Sequence, residues 1–331
     1  MARMKVAISI GDPAGIGPEI ALKAAIDPRV RAIAAPLLVG DRRALELHAK
    51  ASGIAGGFRS YRRAAEVDWS DGAVALLALD QFNGKPLTLG KVAAEHGRAA
   101  VDAARAAIDA ALAGEVDAVV AAPQTESAIK AAGIEFDGYP SFVARCTGVA
   151  PEDAFLMMCF DDKRIVHSTL HVSLARALAL VTRERVAKVI AAADGTLRRI
   201  GVAKPKLAVA GINPHAGEGG LFGDEEINII APEIAAARAR GVDAEGPFGA
   251  DTMFHLPGYD AFVVMYHDQG HIAAKLLARN RTAGMTIGTP VLFSSVAHGS
   301  ALDIAGKNQA SPAAMVEAVM RLAGAHAHQA A

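Results

Sequence analysis

Residues 5–19 read Lys-Val-Ala-Ile-Ser-Ile-Gly-Asp-Pro-Ala-Gly-Ile-Gly-Pro-Glu, and this stretch decides the fold class. Its first six residues are the short apolar run of a strand buried on both faces. Gly11 to Gly17 interrupt that run and make a turn. Pro18 and Glu19 then open a helix, because proline at the first helical position loses no hydrogen bond and an acid suits the positive helix end. The same alternation continues along the chain. Runs 36–39, 116–122, 164–170, 207–211, 261–266 and 291–294 read as strands, and 93–113, 173–193 and 311–322 as helices. This predicts an α/β fold with a largely parallel sheet.

The chain has 331 residues. At roughly 150 residues per domain that suggests two domains. No repeat, low-complexity tract or charge block marks a linker, which fits a chain that crosses between its domains more than once. Hydrophobic residues at 52% and charged residues at 21% exclude a disordered chain. A net charge of -1 and 5% aromatics argue against a nucleic-acid binder. Two cysteines, Cys146 and Cys159, make neither a disulfide framework nor a four-cysteine zinc site, and they fit a reducing compartment. No signal-peptide pattern and no run near the roughly 18 apolar residues of a membrane span is visible. The expectation is a cytoplasmic protein with a small-molecule partner and no nucleic acid or membrane.

Ligands of α/β folds sit at the carboxyl ends of strands. Three strand ends each present a histidine: His171, His215 after Asn213-Pro214, and His267 before Asp268-Gln269-Gly270. Three neutral imidazoles are a common set for a divalent metal, and zinc stands first, with cobalt, nickel, iron or magnesium as alternatives. The competing reading is three unrelated polar residues at strand ends. His167 and His271 each lie four residues from one of these, but no Glu follows His167, so this is not the HExxH pattern. Both are read as ordinary polar positions. Neither GxGxxG nor a P-loop occurs at a strand–helix junction, which argues against a standard dinucleotide fold.

The stretch His298-Gly-Ser-Ala-Leu-Asp-Ile-Ala-Gly-Lys307 resembles the nucleotide-binding loop of the isocitrate and isopropylmalate dehydrogenases, which bind NAD(P) without GxGxxG. With Gly11–Glu19, Asn213–Gly219, Gly249-Ala-Asp-Thr252, Tyr266-His-Asp-Gln-Gly270 and Lys275, the chain resembles the 4-hydroxythreonine-4-phosphate dehydrogenase family nearly end to end. The resemblance implies a two-domain isocitrate/isopropylmalate dehydrogenase-like fold with a cleft between domains. The expected ranges are 1–130 with 285–331 for the nucleotide-binding domain and 131–284 for the metal, substrate and dimer domain. It implies NAD held by His298, Gly299, Ala301 and Asp303. It also implies a metal on His171, His215 and His267, and a homodimer with its active site at the interface.

Several positions depart from the phosphate-handling pattern. Gly138-Tyr139-Pro140-Ser141 replaces Gly-His-Thr-Glu, Phe293 replaces an arginine and Gly284 an asparagine. A phosphate dianion wants charge-assisted donors, and four are gone together. The Gly-Tyr-Pro-Ser variant, His167 and the Tyr266–His271 ending resemble the terephthalate dihydrodiol dehydrogenase branch. Its substrate is a cis-diol dicarboxylate that is oxidised and decarboxylated. On that reading Tyr139 and Ser141 line the substrate pocket, and Lys275 orients a carboxylate or moves a proton. Asp251 and Asp268 support the histidines. Arg145 and Arg279 stay open as clamps for the second carboxylate. Oxidation of hydroxythreonine phosphate or a phosphothreonate remains the alternative.

Overall fold

The computed structural model describes residues 3–54, 57–70, 72–278 and 282–325. In chain order its strands are β1 (Met4–Ser9), β2 (Ala34–Gly40), β3 (Phe58–Tyr61), β4 (Val74–Ala78), β5 (Ala118–Ala121) and β6 (Phe155–Phe160). They continue as β7 (Lys163–His167), β8 (Lys206–Ala210), β9 (Asp243–Phe248), β10 (Ala261–Val264), β11 (Ala283–Ile287) and β12 (Leu292–Val296). The described residues fall into two compact units, Met1–Gly148 with Pro290–Ala325, and Val149–Thr289. Residues 131–148 therefore go with the first unit. Phe142 and Val143 explain this, since both are buried in the first unit's core beside Ile108, Val119 and Phe293.

In the first unit the strands run β3-β4-β2-β1-β5-β12, and each pairing is parallel. Val6, Ala7 and Ile8 of β1 are fully buried, as a central strand covered on both faces requires. The helix Ala94–Leu112 packs on this sheet through Ala99, Ala100, Ala103, Ala104, Ala107 and Ile108. Small side chains on that face let the helix lie close to the strands.

In the second unit the order is β11-β6-β7-β10-β8-β9. β6 runs antiparallel to β11 and β7, while β7, β10, β8 and β9 are mutually parallel. The carboxyl ends of these four strands therefore open on one edge, and the chemistry-bearing loops emerge there.

Two local expectations are corrected. The 164–170 strand ends at His167, so His171 stands on a loop rather than a strand. The 173–193 helix is two helices, Leu174–Leu180 and Arg183–Arg199. Thr182 divides them, because its hydroxyl caps the second by accepting from the Arg185 amide at 3.2 Å. Gly138-Tyr139-Pro140-Ser141 opens a helix, Tyr139–Thr147, entered from Gly138 at φ 115°. Cys146 and Cys159 form no disulfide. No helix among the described residues is long and apolar enough to cross a membrane.

Candidate active site

The β10–β8 edge is tied together by one side chain. Gln269 Oε1 accepts from the Met265 amide at 2.7 Å and Nε2 donates to the Gly211 carbonyl at 2.9 Å. His267 begins the helix His267–Ala278, which follows β10. Its Nδ1 donates to Asp268 Oδ1 at 2.7 Å. A carboxylate accepts only, so this bond leaves the neutral imidazole with a bare Nε2, the form a metal ligand needs.

His171 is exposed on the loop after β7. That loop is anchored by the Ser168 amide to Val264 O at 2.8 Å, Thr169 Oγ1 to Met265 O at 3.0 Å, and Arg185 Nε to Ser168 O at 2.6 Å. The His171 and His267 rings lie 5.5 Å apart and border one cavity of about 320 Å³, walled also by Leu170, Tyr266 and Asp268. His215 borders a different cavity of about 350 Å³ with Asp251, Asn213 and, again, Tyr266. His215 Nδ1 lies 3.6 Å from Glu218. Among the described residues of one chain, no three His, Cys, Asp or Glu side chains gather as a metal-holding group.

The His215 loop is strained and braced. His215, Ala216 and Glu218 have φ of 52°, 53° and 43°, a left-handed run that costs roughly 1 kcal/mol or more per non-glycine residue. Buried Glu226 offsets this. Its Oε1 accepts from the Ile212 and Asn213 amides at 2.6 and 2.8 Å, and Oε2 from Asn213 Nδ2 at 3.0 Å. Burial pushes its carboxyl up, but these hydrogen bonds outweigh it and hold the acid below its ordinary range. Glu226→Ala leaves two amide donors unsatisfied and is expected to cost about 2–3 kcal/mol, read by denaturant unfolding. A stability equal to wild type would show that the loop is braced otherwise. Sequence reading passed over Glu226 as one acid after a glycine-rich loop.

His167, read from sequence as an ordinary polar position, has a more specific setting. It is fully buried at the end of β7, where its Nδ1 lies 3.3 Å from the Leu156 carbonyl and its Nε2 3.0 Å from His271 Nδ1. His271 stacks on His267 at 3.7 Å and 10°. Burial first, then the neighbouring His271, pushes His167 down to about 3. Burial, then His267, pushes His271 down to about 4. Both rings are neutral near pH 7. Lys275 continues the row 267–271–275 at helical i, i+4 spacing and is exposed.

In the first unit, the loop carrying His298, Gly299, Ala301 and Asp303 packs on the Gly11–Gly17 turn. The Ile16 amide donates to Ser300 O at 2.9 Å, and a Cβ on Gly15 would stand 2.7 Å from Ser300 Cβ. Ala301 is left-handed at φ 39°, and His298 Nδ1 donates to Gly299 O at 3.1 Å. Asp12 Oδ2 and Ser300 Oγ are buried there without a hydrogen-bond partner, and Gly299 faces open space.

Tyr139 belongs to the packing of the first unit. Its ring lies 4.9 Å from the fully buried Phe293, and its hydroxyl donates to Ala122 O at 3.1 Å. Burial pushes that phenol up. Ser141 sits beside Asp137, which Arg145 also engages at 3.1 Å. Arg145 is thus already paired, and Arg279 lies outside the described residues.

Residues 32–323 match the PdxA family, described as pyridoxal phosphate biosynthetic protein PdxA. A Symbiobacterium thermophilum protein named "Putative D-threonate 4-phosphate dehydrogenase" is 42% identical over 320 residues, 96% of this chain and 95% of its own. A 1,2-dihydroxy-3,5-cyclohexadiene-1,4-dicarboxylate dehydrogenase of Comamonas sp is 40% identical over 320 residues, 96% of each chain. The crystal structure of a 4-hydroxythreonine-4-phosphate dehydrogenase from Burkholderia phymatum matches with a TM-score of 0.86 at 34% identity, covering 98% of each chain. A family match over most of the chain and relatives at 40–42% identity over nearly its whole length agree, and this chain belongs to the PdxA family.

Proposed function

We propose that this chain oxidises and decarboxylates a cis-dihydrodiol dicarboxylate with NAD+, converting terephthalate dihydrodiol to protocatechuate, CO2 and NADH. The observation that carries this reading is the Tyr139–Phe293 pair. An apolar ring, fully buried, stands where a phosphate-handling member has an arginine, and the one hydroxyl beside it is committed to a backbone carbonyl. Tyr139 then acts by shaping the wall, with Ser141 one helical position beyond its proline. The Comamonas relative at 40% identity acts on a substrate of this class by its name.

His171, His215 and His267 would hold a divalent metal. The bare Nε2 of His267 and the nearby His171 suit two of its positions. His215 borders a separate cavity in the same chain, so a second copy would complete the set. Val172, Leu174, Leu178, Leu221, Phe222 and Leu276 are exposed apolar side chains on the segments that carry these histidines, a face suited to such a copy. Ser300, Gly299 and Asp12 would hold the nucleotide, since orphaned polar atoms and an open glycine can receive ribose hydroxyls and a close backbone approach. When bound, the metal lowers the pKa of the substrate hydroxyl and polarises the ketone, and NAD+ takes the hydride. Lys275 faces no carboxylate among the described residues, so its ammonium can receive a substrate carboxylate or pass a proton to the product. Asp268 keeps His267 in its ligand tautomer. Asp251 borders the His215 cavity and has the same orienting role toward His215.

The 42%-identical relative favours a second reading, oxidation of a phosphothreonate. NADH formation from terephthalate cis-dihydrodiol, phosphothreonate and 4-phosphohydroxythreonine, each with and without chelator, separates them. Chelator-sensitive turnover of the dihydrodiol with CO2 release is expected. Turnover of a phosphate ester alone would sink the first reading.

A further inference from the structure

His167 and His271 of the second unit form a hydrogen-bonded pair whose proton positions are fixed from one end. The Leu156 carbonyl can only accept, so His167 donates to it from Nδ1. A neutral His167 then has a lone pair at Nε2, and the atom 3.0 Å away, His271 Nδ1, must carry the hydrogen. His271 is left with a lone pair at Nε2. That atom has no hydrogen-bond partner among the described residues, yet it is not among the side-chain atoms sealed in the core without one. The ring is stacked against His267 at 3.7 Å and lies between His267 and Lys275 on the same helix.

The helix sequence is built to keep this arrangement. Gly270 carries no Cβ, and one added there would stand 2.5 Å from His167 Nε2. His167 itself cannot swing away without breaking its bond to Leu156. A buried imidazole used only for packing would need neither its second nitrogen nor an aligned partner. Two rings in series, ending in a bare nitrogen beside the proposed metal ligand, form an acceptor.

We infer that His271 is a substrate-contacting residue: its Nε2 accepts a hydrogen bond from the substrate hydroxyl adjacent to the one oxidised, and His167 is the positioning residue that fixes its tautomer. This rests on the function proposed above for the identity of the diol, but the imidazole chain stands apart from it. The acceptor makes a vicinal diol the preferred substrate. A hydrogen bond of this kind is worth about tenfold in binding. Among the described residues, the polar side chains around His271 are His167, His267, His171 and Lys275, with no carboxylate beside them. A hydroxyl is therefore the donor suited to it.

Nitrogen-15 NMR of histidine-labelled protein reads the tautomers without substrate. His271 is expected in the Nδ1–H form, and His167→Phe is expected to shift it toward Nε2–H. Wild-type His271 found as Nε2–H would overturn the inference. His271→Gln, which keeps an acceptor at the ε position, is expected to hold KM for the dihydrodiol within about threefold. His271→Asn, which keeps only a donor toward His167, is expected to raise KM about tenfold with metal affinity unchanged. Metal affinity lost about a hundredfold in both variants would make His271 a ligand rather than a substrate contact, and would overturn it too. Should the wild type turn over only a phosphate ester, the function reading falls while the spectrum still decides the imidazole chain.

Discussion

The His267→Ala protein is expected to fold normally and to lose about a thousandfold in kcat/KM, together with most of its bound metal. The size follows from what the ring supplies. A metal that stabilises developing charge on oxygen contributes several kcal/mol, and each 1.36 kcal/mol is about tenfold in rate. The fold is expected to survive because His267 is half-exposed at the first position of its helix, outside the buried cluster that holds Phe262, Val264 and Ala274. Removing it leaves Asp268, itself exposed, free to hydrate. Asp268→Asn is expected to do less, about ten- to a hundredfold, because an orienting partner changes ligand quality without removing the ligand. Metal analysis of the purified variants beside their kinetics checks both. A His267→Ala enzyme with full metal content and wild-type kcat/KM would show that the metal sits elsewhere or is not required.

The histidines differed in how far sequence could carry them. His171, His215 and His267 could be singled out because each follows an apolar run and strand ends are where α/β proteins place ligands, but no local pattern tells that His215 borders a different cavity from the other two. Parallel β7, β10, β8 and β9 then account for why residues so far apart in sequence reach one sheet edge. His167 and His271 were read as bland, and the reason is physical. Their meaning lies in a bond between a strand and a helix 104 residues apart, which no local period encodes. Glu226 was hidden for the same cause: three donors converge on it from a loop thirteen and fourteen residues upstream. Helix 173–193 failed for a local reason. Its apolar period runs on through the break, while Thr182 quietly offers its hydroxyl as a cap. The helix at Tyr139 was not marked locally, because Gly138 and Pro140 flank its first residue, yet proline in the first turn of a helix costs nothing. Gly138–Ser141 and Phe293, far apart in sequence, meet in the fold through the Tyr139 and Phe293 rings.

Gly270→Ala tests whether the helix that carries His267, His271 and Lys275 is truly seated on β7. In an ordinary helix interior, replacing glycine by alanine stabilises by up to about 1 kcal/mol. Here two effects oppose each other. The added methyl would meet His167 Nε2 at 2.5 Å, Ile165 Cγ2 at 2.7 Å and Val264 Cγ2 at 2.9 Å. All three neighbours are fixed: Ile165 and Val264 are fully buried strand residues, and His167 is bonded at both nitrogens. Overpacking of this kind costs about 1–3 kcal/mol and outweighs the helical gain. A net loss of 1–2 kcal/mol lowers Tm by roughly 2–8 °C in a domain of this size. The helix can escape only by moving off the strands, which carries the His267–Lys275 row with it. A displacement near 1 Å at a reacting centre is worth about a hundredfold in rate. Gly195 is the control, because it lies inside the helix Arg183–Arg199 with nothing within 4 Å of a Cβ placed there. Gly195→Ala is therefore expected to raise stability slightly and leave kcat unchanged. Thermal unfolding and steady-state kinetics of the two variants decide the matter: were both to behave alike, Gly270 would be serving no close approach, and the link from the buried His167 to the helix face would be broken at its first step.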